Sequence, residues 1–355
     1  MKRILIYVSD HHHGHATRMV ALARGLIKTG DFEVVIKNSN AFSFLKRALP
    51  GARVKKVRTD VGPTFDWNSN KIDPEITFEN YSSWIQTTDD WILKEFESFK
   101  EQPADLIVTD ISPMALRLSE KVKCPSVTVT NFSWIDILKR VDYHEEKKNV
   151  IKWLNESFSL SDLAIKLPFS TELEGFLKVE EASLLCRETT FTKEQTLKKF
   201  QLNSPLVVVT FGNQIPPKLK INNTNNDVQV VILSPNRTNS GDIRTIQDYS
   251  ETQNIVASAD LVITKGGYST TAECAKFRCP MYMVIRENYH EEIVLSRAAA
   301  NLGLAKILDM HSSSSCIDVP DEKQIKDMKS NIKESSIASL EKLTSPIKII
   351  QELVK

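Results

Sequence analysis

The run Asp260-Leu-Val-Ile-Thr-Lys-Gly-Gly-Tyr-Ser-Thr-Thr-Ala-Glu273, followed by Tyr289-His-Glu-Glu292, gathers residue types suited to a phosphorylated ligand. Leu261 to Thr264 is a short apolar run rich in β-branched residues. Gly266 and Gly267 permit a tight turn, and Ser269, Thr270 and Thr271 open a helical stretch to about Phe277. Glycines let backbone N–H groups approach a ligand closely, and the first turn of a helix presents N–H groups without intrahelical partners at its positive end. Such a turn suits phosphate. Lys265 adds a full positive charge, and Glu273 is spaced to accept hydrogen bonds from vicinal hydroxyls, so the pattern predicts a nucleotide. The same residues fit a ligand-free arrangement equally well: Thr270 and Glu273 match a capping box, in which the Glu bonds back to the helix start.

A second group lies near the start of the chain. Asp10-His-His-His-Gly-His15 joins an apolar strand, Arg3 to Ser9, to a helix whose Met19, Val20, Ala23, Leu26 and Ile27 recur at helical spacing. A loop at the carboxyl end of a first parallel strand is where open α/β sheets place ligands. Imidazoles so close in sequence rarely converge on one ion, and no carboxylate or thiolate motif joins them, so no metal site is expected. Asp105-Leu-Ile-Val-Thr-Asp110 is another buried-type strand, and it ends in a carboxylate on the same edge as His15. Asp110 either orients a catalytic imidazole or caps the helix that follows Pro113.

These residues must be held by more than one core. At 355 residues the chain exceeds one ordinary domain, and 41% apolar with 26% charged residues is a globular composition. Lys and Arg number 46 against 45 Asp and Glu, which argues against a general nucleic-acid binder. No apolar stretch reaches membrane-spanning length and Met1-Lys-Arg leads straight into a strand, so a cytoplasmic protein is expected. The five cysteines show no zinc-type spacing and suit reduced thiols. Strands also read at Glu33 to Lys37, Arg53 to Val57, Ser126 to Thr130, Leu206 to Thr210, Val228 to Leu233, Met281 to Ile285 and Ala305 to Leu308, alternating with helices. Pro74 to Lys100 reads as one helix whose Tyr81, Trp84, Ile85, Thr88, Trp91 and Ile92 line up at helical spacing, a stripe that is more often core than an acceptor groove, and Trp134 to Phe158 as another. Ala41 to Leu49, with Lys55, Lys56 and Arg58 nearby, is either an ordinary amphipathic helix or a patch resting on an anionic membrane.

The stretch Asp260 to Leu304, with its Gly266-Gly-Tyr-Ser-Thr-Thr-Ala-Glu273, Cys279-Pro280 and His290-Glu-Glu292, resembles the donor-binding half of GT-B nucleotide-sugar glycosyltransferases. Within them it is most similar to the group containing the peptidoglycan UDP-N-acetylglucosamine transferase. Gly14-His-Ala-Thr-Arg through Leu26 resembles the first loop and helix of the same enzymes, and also the Gly-His-Ala-Thr-Arg motif of sugar-kinase-associated domains. The resemblance implies two doubly wound Rossmann-like α/β domains facing across a cleft. Residues 1–170 would bind the acceptor, 171–334 the nucleotide-sugar, and 335–355 would form a helix returning to the first domain. It implies catalytic roles for His15 as base and Asp110 as its partner. Gly212, Asn213, Lys265, Gly266, Gly267, Ser269 and Thr270 would surround the donor nucleotide, with Glu273 on the ribose and Glu291 and Glu292 on the donor sugar. The family's first loop is glycine-rich, whereas Asp10, His11, His12 and His13 occupy it here.

The activity so implied is an inverting, metal-independent transfer of a hexosyl group from a nucleoside-diphosphate sugar, taken as a UDP-sugar, to an acceptor hydroxyl. No cofactor is called for. The acceptor is open and includes a lipid-linked one at the inner face of the membrane. Two other classes fit the same residues, a UDP-sugar 2-epimerase and a non-catalytic nucleotide-sugar sensor or scaffold. A sugar kinase would need a Gly-x-x-x-x-Gly-Lys-Ser/Thr loop, and none is present.

Overall fold

The computed structural model describes residues 1–66, 71–142, 145–212, 219–225, 227–234, 243–247, 249–286, 288–308 and 316–355. The chain divides into two compact units: residues 1–185 with 287–291 and 342–355, and residues 186–286 with 292–341. Residues 171–185 thus pack with the first unit and 335–341 with the second.

The first unit is built on a seven-stranded parallel sheet of order β3-β2-β1-β4-β5-β6-β7. The strands are β1 (Lys2–Tyr7), β2 (Phe32–Lys37), β3 (Arg53–Lys55), β4 (Leu106–Thr109), β5 (Ser126–Thr130), β6 (Leu163–Lys166) and β7 (Val179–Glu181). Continuous apolar runs such as Ile4 to Val8 and Leu106 to Val108 suit strands covered on both faces, and their side chains are buried. The stretch 74–100 forms two helices, Pro74–Gln86 and Thr88–Glu101. Asp73 caps the first through Ile76 N, and Thr87 ends it by bonding Trp84 O. Tyr81, Trp84 and Trp91 join a core with Met114, Phe132 and Trp134. In the helix Phe42–Ala48, Leu45 and Ala48 turn inward, the ordinary amphipathic arrangement. The helix Pro346–Leu353 also belongs to this unit, with Ile347 so close to Gly25 that a Cβ there would meet its Cδ1.

The second unit repeats the plan. Its strands are β8 (Leu206–Thr210), β9 (Lys220–Asn222), β10 (Gln229–Leu233), β11 (Arg244–Ile246), β12 (Leu261–Lys265), β13 (Met281–Val284), β14 (Ala305–Leu308) and β15 (Cys316–Asp318). Six of them form a parallel sheet of order β11-β10-β8-β12-β13-β14, while β15 and β9 pair separately. In both large sheets the order reverses beside the first strand, between β1 and β4 and between β8 and β12. Open α/β sheets bind ligands outside the carboxyl ends of strands at such a reversal. His15 and Asp110 follow β1 and β4; Gly212 and Gly266 follow β8 and β12. Among the described residues no helix is long and apolar enough to cross a membrane.

Candidate active site

His15 sits in the first turn of the helix His13–Thr29, three residues before Arg18, so both side chains share one helix face. Asp110 leaves β4 fully buried, and its Oδ2 lies 2.6 Å from His15 Nδ1. Oδ1 accepts the Ser9 N–H at 2.7 Å, which fixes the carboxylate to the loop after β1. Arg18 is buried as well, with Nη2 3.3 Å from Asp110 Oδ2 and 3.4 Å from His15 Nδ1. Burial pushes the Asp110 carboxyl up, but the His15 imidazole and its hydrogen bond, then Arg18 and Ser9 N–H, hold it below the usual carboxylate value. An ionised Asp110 accepts only, so His15 carries its proton on Nδ1 and turns the lone pair of Nε2 outward. Phe132 and Trp134 stand 5.7 and 6.0 Å from the His15 ring and are buried.

The loop that carries this pair is pinned by carboxylates. Asp10 Oδ1 accepts from Ser39 N, Ser39 Oγ and Asn40 N, and Oδ2 from Thr59 N. Asp60 accepts Asp10 N–H at 2.7 Å and Trp134 Nε1–H at 3.3 Å. Burial pushes Asp60 well above the carboxylate range, against the Ser9 side chain, and the nearby charges of Asp110 and Asp10 add to it. His12 takes φ 63° and ψ 156° at the N-cap without a side-chain cap bond. That backbone region is almost exclusive to glycine and costs a residue with a Cβ about 1–3 kcal/mol. His12→Gly is therefore expected to raise stability by ~1 kcal/mol after the entropy of glycine is subtracted, read as a higher unfolding midpoint; an unchanged or lower midpoint refutes the strain. Among the described residues no group of three or more His, Cys, Asp or Glu is arranged to hold a metal.

In the second unit the helix Tyr268–Phe277 starts one residue earlier than its hydroxyl residues suggest, with Gly267 as N-cap and no side-chain cap bond. Thr270 already lies inside the first turn, so the Thr270–Glu273 capping box is absent. Glu273 is buried one turn further on. Its Oε1 accepts Arg187 Nε–H at 2.9 Å, and Arg187 also donates to Ser250 O and Thr252 Oγ1. Burial pushes the Glu273 carboxyl up, with Arg187 opposing it. A Cβ on Gly266 would lie 3.0 Å from Glu292 Cα and O, so the turn after β12 packs tightly against the helix His290–Asn301. A Cβ on Gly267 would meet nothing within 4 Å, so space opens in front of the helix end. Lys265, Ser269 and Thr270 are half-buried around it, and Gly212 adopts φ +65° after β8. Asn213 lies outside the described residues.

Glu291 and Glu292 diverge. Glu292 is buried in the second unit, where it takes Arg286 N, Nε and Nη2, the last at 2.6 Å. Glu291 groups with the first unit and accepts Asn131 Nδ2 at 2.9 Å, while Asn131 Oδ1 accepts Arg18 Nη1 at 2.5 Å. Arg18, Asn131, Arg187 and Arg286 are thus site neighbours that sequence reasoning did not assign. Arg18 stood in the motif at a readable spacing from His15 and Asn131 directly follows β5, whereas Arg187 carries no local signal.

Comparison with known proteins bears on the family and the fold. The pattern that defines glycosyl transferase family 1 matches residues 2–311. The chain is 26% identical over 304 residues to the L-arabinokinase of Arabidopsis thaliana, covering 81% of this chain and 28% of that protein. Among solved structures, the spinosyn forosaminyltransferase SpnP aligns over 99% of this chain and 98% of its own at TM-score 0.67 and 14% identity. The SsfS6 glycosyltransferase of Streptomyces sp. SF2575, complexed with thymidine diphosphate, aligns over 99% of both chains at TM-score 0.58 and 16% identity. Such identities speak for the fold, two Rossmann-like units of the GT-B type. The family match spans both units, so the chain belongs to glycosyl transferase family 1.

Proposed function

We propose that the protein is an inverting, metal-independent transferase that moves a hexosyl group from a nucleoside-diphosphate sugar, with UDP as carrier, to an acceptor hydroxyl. The observation that carries this reading is the buried His15–Asp110 pair at 2.6 Å. His15 Nε2 takes the proton of the acceptor hydroxyl as its oxygen attacks the anomeric carbon, the bond to the diphosphate breaks on the opposite face, and the configuration inverts. Asp110 stabilises the imidazolium that forms. The diphosphate takes the open space before Gly267, where Lys265 and the helix end stabilise the charge it gains on leaving. Gly212, Asn213, Ser269 and Thr270 complete that surface, Glu273 receives the ribose, and Glu291 contacts the donor sugar, whereas Glu292, buried with both oxygens on Arg286, supports the segment after β13. Kinase activity does not carry over from the L-arabinokinase, because the match spans about 28% of that protein.

The test is calorimetric titration with UDP-glucose, UDP-N-acetylglucosamine and TDP-glucose in EDTA, on the native chain and on Gly267→Ala. The methyl group has room in the folded protein but fills the phosphate space, so Gly267→Ala is expected to unfold at the native temperature and to bind the nucleotide tenfold to a hundredfold more weakly, about the value of hydrogen bonds to a charged group. Undiminished binding by the variant removes the phosphate from this helix end. Preference for the thymidine donor would replace uridine as the carrier base.

A further inference from the structure

The hydrogen bonds around His15 do not stop at Asp110. Arg18 is 3% exposed, and a cation so deeply buried needs a compensating charge, which it finds in the Asp110 oxygen that also holds His15. Its other nitrogen donates to Asn131 Oδ1, and Asn131 Nδ2 donates to Glu291 Oε1 at 2.9 Å. Every link has a fixed direction. A guanidinium only donates and a carboxylate only accepts, so the Asn131 amide fits one way round and turning it over breaks two bonds at once. Asn131 and Asp110 are fully buried, while Glu291 is half-buried.

We propose that Arg18 and Asn131 are positioning residues that tie the His15–Asp110 pair to Glu291, so that a sugar hydroxyl bonding to Glu291 alters the hydrogen bonding of the base. This rests on the reading of His15 as base and Glu291 as donor-sugar contact. A hydroxyl that donates to Glu291 Oε1 competes with the Asn131 amide; Asn131 then relaxes toward or away from Arg18, and Arg18 shares Asp110 with His15. Among the described residues, Asp110 after β4, Arg18 on its own helix and His11 in the loop before it are charged or titratable groups facing His15, with Asp10 and Asp60 pinning that loop.

Asn131→Asp tests the link, because it keeps an acceptor for Arg18 and sets a carboxylate against Glu291. Glu291→Gln in the same chain supplies the missing donor and restores the polarity of the string. With hydrolysis of UDP-glucose as the acceptor-independent assay, Asn131→Asp is expected to lower kcat tenfold to a hundredfold, the effect of losing a hydrogen bond to a charged group, at similar KM. The double variant is expected to recover most of that kcat. In 15N-histidine-labelled protein the His15 Nδ1–H resonance should shift on adding UDP-glucose in the native chain and the double variant but not in Asn131→Asp. If Asn131→Asp keeps native kcat and native spectral response while His15→Ala is inactive, the relay is refuted and the base assignment stands. If the double variant is no better than the single, the link to Glu291 is likewise refuted. If His15→Ala hydrolyses the donor at the native rate, the base assignment falls and the proposal with it.

Discussion

His15→Ala is expected to lower the transfer rate by about 10²–10⁴, the usual contribution of a positioned general base, with little change in donor affinity or unfolding temperature. The fold should survive because Asp110 is not stranded by the change. Its Oδ1 keeps the Ser9 N–H at 2.7 Å, and Oδ2 keeps Arg18 at 3.3 Å, so the buried carboxylate retains a hydrogen bond and a counter-charge. Removing the imidazole takes away a short hydrogen bond but leaves no unpaired charge. Free imidazole added to the variant should restore part of the rate by occupying the space vacated beside Phe132 and Trp134. Native turnover in the variant, or a loss explained wholly by unfolding, would sink the assignment.

The residues of that pair were legible in the sequence for a topological reason. Each follows an apolar strand that is central in a parallel sheet, and such strands advertise themselves by unbroken apolar runs. Once β1 and β4 are neighbours, the ends of both strands meet without further information. Gly212 is assigned to the donor side only by the family resemblance, and the pairing of β8 with β12 is what sets its strand end beside that of Gly266. What failed to show was set by contacts distant in sequence or by single backbone angles. Helical periodicity ran unbroken through Thr87 because Thr87 and Thr88 disrupt it only by turning their hydroxyls back onto Trp84 O and Ile85 O. The stretch 134–158 likewise contains two helices, Trp134–Leu138 and Lys147–Phe158. Thr270 and Glu273 matched a capping box by spacing, yet Gly267 begins the helix and leaves both inside it. Arg187, 86 residues before Glu273, lies in a segment with no periodic pattern to mark it.

That last contact sets the second large effect. Glu273→Ala is expected to cost about 3–5 kcal/mol, because it removes the carboxylate hydrogen-bonded to the buried Arg187 guanidinium and leaves it, among the described residues, with Ser250 O and Thr252 Oγ1 as hydrogen-bond partners. For a unit of this size the loss corresponds to a fall of roughly 6–20 °C in its unfolding midpoint. Weak nucleotide binding by this variant alone would therefore be ambiguous, since a partly unfolded unit binds nothing. Arg187→Met with Glu273→Leu separates the two roles. Replacing a buried ion pair by apolar side chains of similar volume is commonly neutral or stabilising, so the double variant should regain the native midpoint. If Glu273 holds the ribose, the same double variant should still bind UDP-glucose at least tenfold more weakly than the native chain, the value of a hydrogen bond to a charged acceptor. Native affinity in a restored fold would instead make the Arg187–Glu273 pair a structural clamp between the segment at Arg187 and the helix Tyr268–Phe277. The donor site would then rest on the Gly267 helix end and Lys265 alone.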